Sequence, residues 1–365
     1  MITRSQKKKL ENVTVVRNRF VQIPIDLVID IFGRLPVKSL SGFLLVSKLW
    51  ETTIRNGDFF TSRVLVAFID IDRQRQLQDW YLFSPSSSST SFVSCGTFPL
   101  PNPEREYNAH YVNGLISLGY GKEHQFITNP STGKTINLPS VKVRAIVNEQ
   151  EKLLIHGHGN RPKSTQHQVH TLGAKQKPWR MIECNIPHRC LSDGHVYING
   201  VVYYVAYTSA DLSQLSLMRF DLKSEKLDLL TSLSPDIGAR HRHDSITLIN
   251  YQGKVALPAK TSTYTYEVWI MDQDAETRVW SKKIFSIERC EDLIQLSLHI
   301  TGTTHTGEFI LAPRHYCEGF HVIHYNPDTN SFRNIKVEVN EDYEFKRRCT
   351  RAIVFSDYVE NVRLL

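Results

Sequence analysis

The sequence lacks the cysteine pairs and long apolar runs that mark secreted and membrane proteins. Its 365 residues contain six cysteines, none spaced as CxxC, which predicts free, mostly buried thiols in a reducing compartment. No apolar stretch approaches the roughly 18 residues of a membrane span, and the N-terminus is too polar for a signal peptide. We therefore expect a protein of the nucleus or cytoplasm that does not associate with membranes.

Signatures of enzymes and metal sites are missing as well. The sequence has no GxSxG, HExxH, Walker-type phosphate loop or strand-linked GxGxxG, although a triad assembled from distant positions leaves no such motif. Among the 15 histidines are close pairs such as His156 with His158, yet zinc needs three or four converging ligands. Cys184, His188 and Cys190 fit no common zinc spacing. We expect no catalytic residue, no metal and no cofactor.

Most of the positive charge lies in the N-terminal tail. The chain carries a formal net charge of +7, and residues 1–22 hold six bases against one acid. This pattern predicts a basic flexible tail over residues 1–20, in which the run Lys7-Lys8-Lys9 is either a solvated stretch or a nuclear-import patch. Nucleic-acid binding would need a basic face elsewhere too, so we do not expect it.

Helical periodicity follows the tail. Apolar residues recur at i, i+1, i+4, i+5 and i+8, namely Leu27, Val28, Ile31, Phe32 and Leu35. This spacing predicts an amphipathic helix with Pro24 in its first turn. Pro36 ends that helix, and the runs beginning at Leu40 and Val46 predict two more. Some 40 residues bury too little surface to be stable alone, so the surplus apolar surface must be covered by the rest of the chain or by another protein.

The segment Ile23–Leu40 (IPIDLVIDIFGRLPVKSL), followed by Val46–Trp50 (VSKLW), resembles the F-box in order, spacing and both prolines. The resemblance implies that residues 21–62 bind a Skp-type adaptor and, through it, a cullin-RING scaffold. Gly42 departs from the usual pattern and costs a helix about 1 kcal/mol relative to Ala. For Trp50, packing inside the helical unit and direct contact both stay open. The residues expected to bind the adaptor or support that contact are Pro24, Leu27, Ile31, Leu35, Pro36, Leu40, Phe43, Val46 and Trp50.

From residue 63 onward the pattern changes to short apolar runs separated by turn residues, which indicates strands. An apolar strand that ends in a polar turn recurs six times, with markers at Ser84, Asn129, Leu172, Asp221, Asp272 and Asn326. Hairpin dipeptides such as Asn199-Gly200 accompany it, because both residues tolerate positive φ. Four antiparallel strands per repeat predict a β-propeller of six blades.

The first repeat supplies only three strands, and the last apolar run, Ala352–Phe355, has no repeat of its own. Pairing of this run with the first repeat would close the ring and leave no exposed edge. The repeat period is comparable with that of kelch repeats, whose double glycine is absent. Residues 63–362 resemble instead the F-box-associated domain of plant F-box proteins, a kelch-like propeller.

The two resemblances imply a small all-α F-box of three helices followed by an all-β propeller-like domain. They further imply a non-catalytic substrate-recognition subunit of a Skp–cullin–F-box ubiquitin ligase, holding an unidentified protein substrate on the β domain. The alternative is a propeller enzyme or small-ligand receptor whose helices only pack on the propeller. An exposed apolar stripe on the helices favours the first function, and a deep central pocket lined by converging carboxylates or histidines favours the second.

Overall fold

A computed structural model describes the chain in segments, which form two compact units, Met1–Phe60 and Thr61–Leu365. None of the helices in the described segments is long and apolar enough to cross a membrane. The described residues are 23–35, 37–56, 63–72, 74–85, 91–101, 108–112, 114–120, 124–138, 143–147, 152–157, 167–171, 180–182, 184–209, 211, 213–234, 236–237, 246–272, 279–287, 297–339, 343 and 350–360.

The first unit is helical. Helix α1 (Ile25–Arg34) is followed by a seven-residue helical segment, α2 (Val37–Phe43), and by helix α3 (Lys48–Asn56). Pro24, predicted in the first turn, instead precedes α1, and its carbonyl accepts hydrogen bonds from the backbone N–H groups three and four residues later. Leu35 is extended, as expected of a residue before proline. Each boundary of α1 therefore lies next to a proline.

The second unit is a β domain built from short strands. In chain order the described strands are β1 (Arg63–Asp72), β2 (Leu77–Pro85), β3 (Ser91–Pro101), β4 (Asn108–Val112), β5 (Leu115–Tyr120), β6 (His124–Asn129), β7 (Lys134–Asn137), β8 (Val143–Val147), β9 (Lys152–Gly157), β10 (His167–Thr171), β11 (Arg180–Ile182), β12 (Arg189–Ile198), β13 (Val201–Tyr207), β14 (Leu215–Asp221), β15 (Lys226–Ser232), β16 (Ile249–Tyr251), β17 (Lys254–Lys260), β18 (Thr265–Met271), β19 (Trp280–Ser286), β20 (Leu298–Thr303), β21 (Phe309–Pro313), β22 (His321–Asn326), β23 (Ser331–Val337) and β24 (Arg351–Tyr358).

These strands form antiparallel sheets made largely of sequence neighbours. Within the described residues, four sheets have four strands each, in the orders β4-β5-β6-β7, β11-β10-β9-β8, β12-β13-β14-β15 and β16-β17-β18-β19. A further sheet joins eight strands in the order β20-β21-β22-β23-β3-β2-β1-β24. Inside it, β23 and β3 are parallel and pair at two positions, Lys336 with Ser91 and Val337 with Phe92. The prediction of a helical segment followed by a domain built mainly of β-strands is confirmed.

The C-terminal strand pairs with the first strand of the domain. In the β1–β24 ladder Val66 lies opposite Val354 and Ala67 opposite Ile353. The pairing expected for the run Ala352–Phe355 is confirmed, and β1 is enclosed between β2 and β24. Residues Val64–Phe68 of β1 are buried on both faces of the sheet. The sequence of this strand is therefore a continuous apolar run in which polar residues do not alternate with apolar ones.

The predicted turn residues have the conformations and bonds that turns require. Asn199 and Gly200 have φ of 47° and 83°, and Gln252 and Gly253 have 52° and 81°, as a tight two-residue hairpin needs. Asn129 uses its side-chain oxygen to accept hydrogen bonds from the backbone N–H groups two and three residues later. The side-chain oxygen of Asn326 accepts the same two bonds in its own turn. These markers therefore stabilise turns; the marker Leu172 lies outside the described residues.

Candidate functional site

Helix α1 carries apolar side chains on three adjacent faces. Val28 and Phe32 are buried and, one turn apart, form the stripe that packs inside the helical unit. Leu27 and Ile31 lie about 100° to one side of that stripe and are 55% and 46% exposed. On the other side Ile25 and Ile29 are exposed as well. The helix therefore has more apolar surface than the helical unit covers.

Aromatic rings hold the three helical segments together. Phe32 of α1, Phe43 of α2 and Trp50 of α3 contact one another with ring centroids 5.2 to 5.9 Å apart. Two of these contacts are edge-to-face, an arrangement that adds about 0.5–1.5 kcal/mol to the burial of each pair. Leu40 is 1% exposed and Ile54 is fully buried. Phe43 and Trp50 thus pack against the buried side of α1 and support the helix that carries the exposed apolar residues.

A second group of exposed apolar residues lies where α2 turns into α3. Leu45 is 84% exposed and Leu49 is 62% exposed, with Val46 exposed between them. The turn ends at Ser47, whose hydroxyl accepts a hydrogen bond of 3.1 Å from the Trp50 N–H and so caps α3. The cap fixes the chain in a path that leaves these residues in solvent.

The predicted site residues divide into exposed and buried sets. Pro24, Leu27, Ile31 and Val46 are exposed, Leu35, Phe43 and Trp50 are partly buried, and Leu40 is fully buried. Pro36 lies outside the described residues. Sequence reasoning missed a further set of exposed apolar residues: Ile23, Ile25, Ile29, Leu45 and Leu49. For Ile25, Ile29 and Leu49 the signal was available, because each is apolar yet lies off the buried stripe of its helix. Ile23 and Leu45 lie outside the helices.

The β domain contains a cavity of about 650 Å³ among the first strands of several sheets. Strand β16 contacts β12 and β20, and β24 contacts β20 and β4, so these strands converge on it. His110 of β4 and His195 of β12 meet there with ring centroids 3.9 Å apart. Burial lowers the pKa of His195 to about 4, which keeps its imidazole neutral at physiological pH. Asp357 is the carboxylate among the lining residues.

Both units match models of known protein families. Residues 20–62 match the F-box domain, and residues 63–359 match the F-box associated beta propeller domain. The two matches meet where the helical periodicity of the sequence gives way to strands.

Relatives from Arabidopsis thaliana align with this chain over most of their length. F-box protein At4g11590 is 51% identical, with 95% of this chain and 94% of that protein covered. Putative F-box protein At5g15660 is 46% identical over 98% of this chain and 87% of the relative. F-box protein DOR is 31% identical over 98% of this chain and 100% of the relative. None of these three names states a substrate.

Proposed function

This chain belongs to the F-box proteins that carry an F-box associated beta propeller domain, and we propose that it is the substrate-recognition subunit of a Skp–cullin–F-box ubiquitin ligase. The membership predicted from residues 23–50 and from the strand repeats is confirmed. The F-box implies a Skp-type adaptor as partner, and through it a cullin-RING scaffold. The β domain then holds a protein substrate.

The exposed apolar surface of the helical unit is the observation that carries this function. Leu27 and Ile31 on α1, with Leu45, Val46 and Leu49 beside α3, leave large apolar side chains in water. Burying such surface releases roughly 25 cal/mol per Å², and soluble domains rarely expose contiguous apolar patches unless a partner covers them. An adaptor surface on the F-box accounts for them.

The chain's contribution to ubiquitin transfer is positional. The adaptor holds the helical unit, and the substrate bound to the β domain is thereby kept near the ubiquitin-conjugating enzyme recruited by the RING subunit. Tethering raises the effective concentration of the substrate lysine, and a rigid β domain limits its orientation. No catalytic group of this chain is required.

We further infer that the β domain is a ring of six blades. The eight-stranded sheet consists of two four-stranded halves, β20–β23 and β24 with β1–β3, which share a parallel contact of two residue pairs. Together with the four smaller sheets these halves make six units, matching the six repeats in the sequence. Recognition loops at one end of such a ring are free to vary while the scaffold stays constant.

The adaptor role is tested by capture of the full chain on an immobilised Skp-type adaptor. Leu27→Asp removes about half of the 1.5–3 kcal/mol available from burying a leucine and places an unpaired carboxylate in the interface, at several kcal/mol more. We expect at least about 100-fold weaker binding, since each 1.4 kcal/mol is tenfold. Ile284→Asp, at an equally exposed apolar site on β19 of the β domain, is the matched control.

Wild type and Ile284→Asp should bind equally. Equal capture of Leu27→Asp, with its helical content unchanged, would contradict the assignment. Proximity labelling in cells with wild type and Leu27→Asp then identifies the substrate: the variant should lose cullin and RING neighbours but keep the protein held by the β domain.

A small-ligand receptor is the second candidate, and the cavity with its paired histidines supports it. Native mass spectrometry of the purified chain distinguishes the two functions. A bound small molecule that disappears in a His195→Leu variant, combined with no adaptor binding, favours the ligand receptor.

A further inference from the structure

Three buried side chains with metal-ligating atoms meet between the sheets β8–β11 and β12–β15, which are the third and fourth sheets when the sheets are counted along the chain from β1. His167 lies on β10, Cys184 in the connection between β11 and β12, and His188 directly before β12. One nitrogen of each histidine and the sulfur of Cys184 all lie within 4.8 Å of one another. We propose that this cluster binds a zinc(II) ion that joins the third sheet to the fourth.

The three ligand atoms lie farther apart than the ligands of a bound zinc ion. Bond lengths of about 2.0–2.1 Å to nitrogen and 2.3 Å to sulfur place the ligands of tetrahedral zinc about 3.3–3.6 Å apart. Cys184 Sγ and His188 Nδ1 are 3.9 Å apart. The carbonyl oxygen of Ile186 lies 2.8 Å from that nitrogen and 3.3 Å from that sulfur. Because the three ligand atoms lie within 4.8 Å of one another, side-chain shifts of up to about 1 Å bring them to the separations of a zinc site, with the Ile186 carbonyl next to the ion.

Zinc binding would move one proton within the cluster and release another. His188 Nδ1–H donates to the Ile186 carbonyl, so Nε2 accepts from the Tyr204 hydroxyl at 2.9 Å. Zinc at Nδ1 moves the imidazole proton to Nε2, which then donates to Tyr204, and an outer partner of this kind orients most metal-bound histidines. Cys184 releases one proton to solvent and binds as the thiolate. The charge change is one proton lost for one zinc gained.

Burial keeps His188 in the neutral form that ligates metals. The rings of His167 and His188 stack with centroids 4.6 Å apart and planes 9° apart. Because an imidazole nitrogen binds a metal in the plane of its ring, one of the two rings has to rotate out of this stack when both bind one ion. Two imidazolium ions at this distance would repel each other, and burial lowers the pKa of His188, so its imidazole is neutral. Burial raises the pKa of the Cys184 thiol, so the thiolate forms together with metal binding.

The site has a structural consequence for the domain. β10 pairs with β9 and β11 in the third sheet, whereas Tyr204 belongs to β13 in the fourth. Val169 and Ile182 of the third sheet share one buried cluster with Val202 and Met218 of the fourth. An ion held by His167, Cys184 and His188 adds a bond between the two sheets, beside their shared apolar cluster and the ion pair between Arg180 and Glu225.

The three proposed ligands do not form a recognised zinc motif in the sequence, and the expectation of no metal rested on such motifs. Cys184 and His188 are four residues apart and supply two ligands, while the third comes from His167 on another strand. Cys190, which the sequence analysis considered together with Cys184 and His188 and set aside, lies outside the three-ligand group.

Cobalt(II) titration of the metal-stripped full chain tests the site, because cobalt occupies zinc sites and reports thiolate ligation by a charge-transfer band in the near ultraviolet. We expect one equivalent of cobalt bound with that band and displacement by zinc(II). Cys184→Ser should abolish the band. Cys317→Ser, the same change at a partly buried thiol that packs against a different cluster, should keep it. Tyr204→Phe removes only the outer hydroxyl and should weaken affinity about 10–100-fold.

His188→Gln serves as a second ligand variant in case Cys184→Ser loses its fold, and circular dichroism of the same samples reports folding. The inference is overturned if folded wild type shows no thiolate band at one equivalent, or if folded Cys184→Ser or His188→Gln binds cobalt as wild type does. Binding without a thiolate band means adventitious histidine coordination and also overturns it.

Discussion

Because β24 closes the β domain by pairing with β1, we predict that truncating a phenylalanine on β24 lowers stability far more than truncating one on β23. Phe355 on β24 is 7% exposed and belongs to a buried cluster that includes Leu65 of β1 and Trp80 of β2. Phe332 on β23 is 40% exposed. Removing a buried phenylalanine side chain costs about 3–5 kcal/mol, whereas a surface substitution changes stability by about 0.5 kcal/mol or less. Phe332→Ala is therefore the matched control.

Thermal unfolding of the full chain, followed by circular dichroism in the β-sheet region, measures this difference. At about 2 °C per kcal/mol for a domain of this size, Phe355→Ala should lower Tm by about 6–10 °C and Phe332→Ala by about 1 °C. Hydrogen exchange should also speed up in β1, because β24 covers one of its edges. Equal Tm shifts for the two variants, or unchanged exchange in β1, would refute closure of the domain by its C-terminal strand.

Three further results are expected. Leu40→Ala should destabilise the helical unit by about 2–5 kcal/mol, seen as an earlier urea midpoint, while Leu27→Ala should leave that midpoint unchanged. Because the pKa of His195 is about 4 when folded and near 6.5 when unfolded, stability should hold above pH 6.5 and fall by about 2–3 kcal/mol as pH drops to 4, and His195→Gln should flatten this slope in urea melts. Gly200→Ala, at φ of 83°, should cost about 1–2 kcal/mol in a thermal melt, whereas Gly96→Ala, with open space and ordinary φ, should cost almost nothing.

Local chemistry made the β domain predictable. Asn199-Gly200 can form a tight hairpin whatever surrounds it, and Asn129 bonds to backbone groups two and three residues away, so such turns are encoded where they occur. The sequence indicated a strand in this part of the first repeat without fixing its ends, which are Arg63 and Asp72 in the structure, because the pairing partner of β1 decides where the ladder ends. The closing strand was predictable by elimination, since Ala352–Phe355 had no other partner.

Burial in the helical unit was not predictable from spacing alone. Leu27 and Val28 are adjacent and equally apolar, yet one is exposed and the other buried, because only the packing of Phe43 and Trp50 against Phe32 fixes which face of α1 points inward. Leu40, predicted as an adaptor contact or its support, is buried, so a charge placed there would unfold the unit before it reported on binding. The proposed metal cluster needs His167 from a separate strand, and only the fold of the domain brings that residue to Cys184 and His188.

Hydrogen–deuterium exchange of the full chain with and without a Skp-type adaptor tests the central claim most directly. We expect adaptor binding to slow exchange in peptides covering α1 and the α2–α3 turn, where Leu27, Ile31 and Leu45 are exposed, and to leave β1–β24 unchanged. Unchanged exchange in the helical unit under saturating adaptor, or slowing confined to the β domain, would contradict the account.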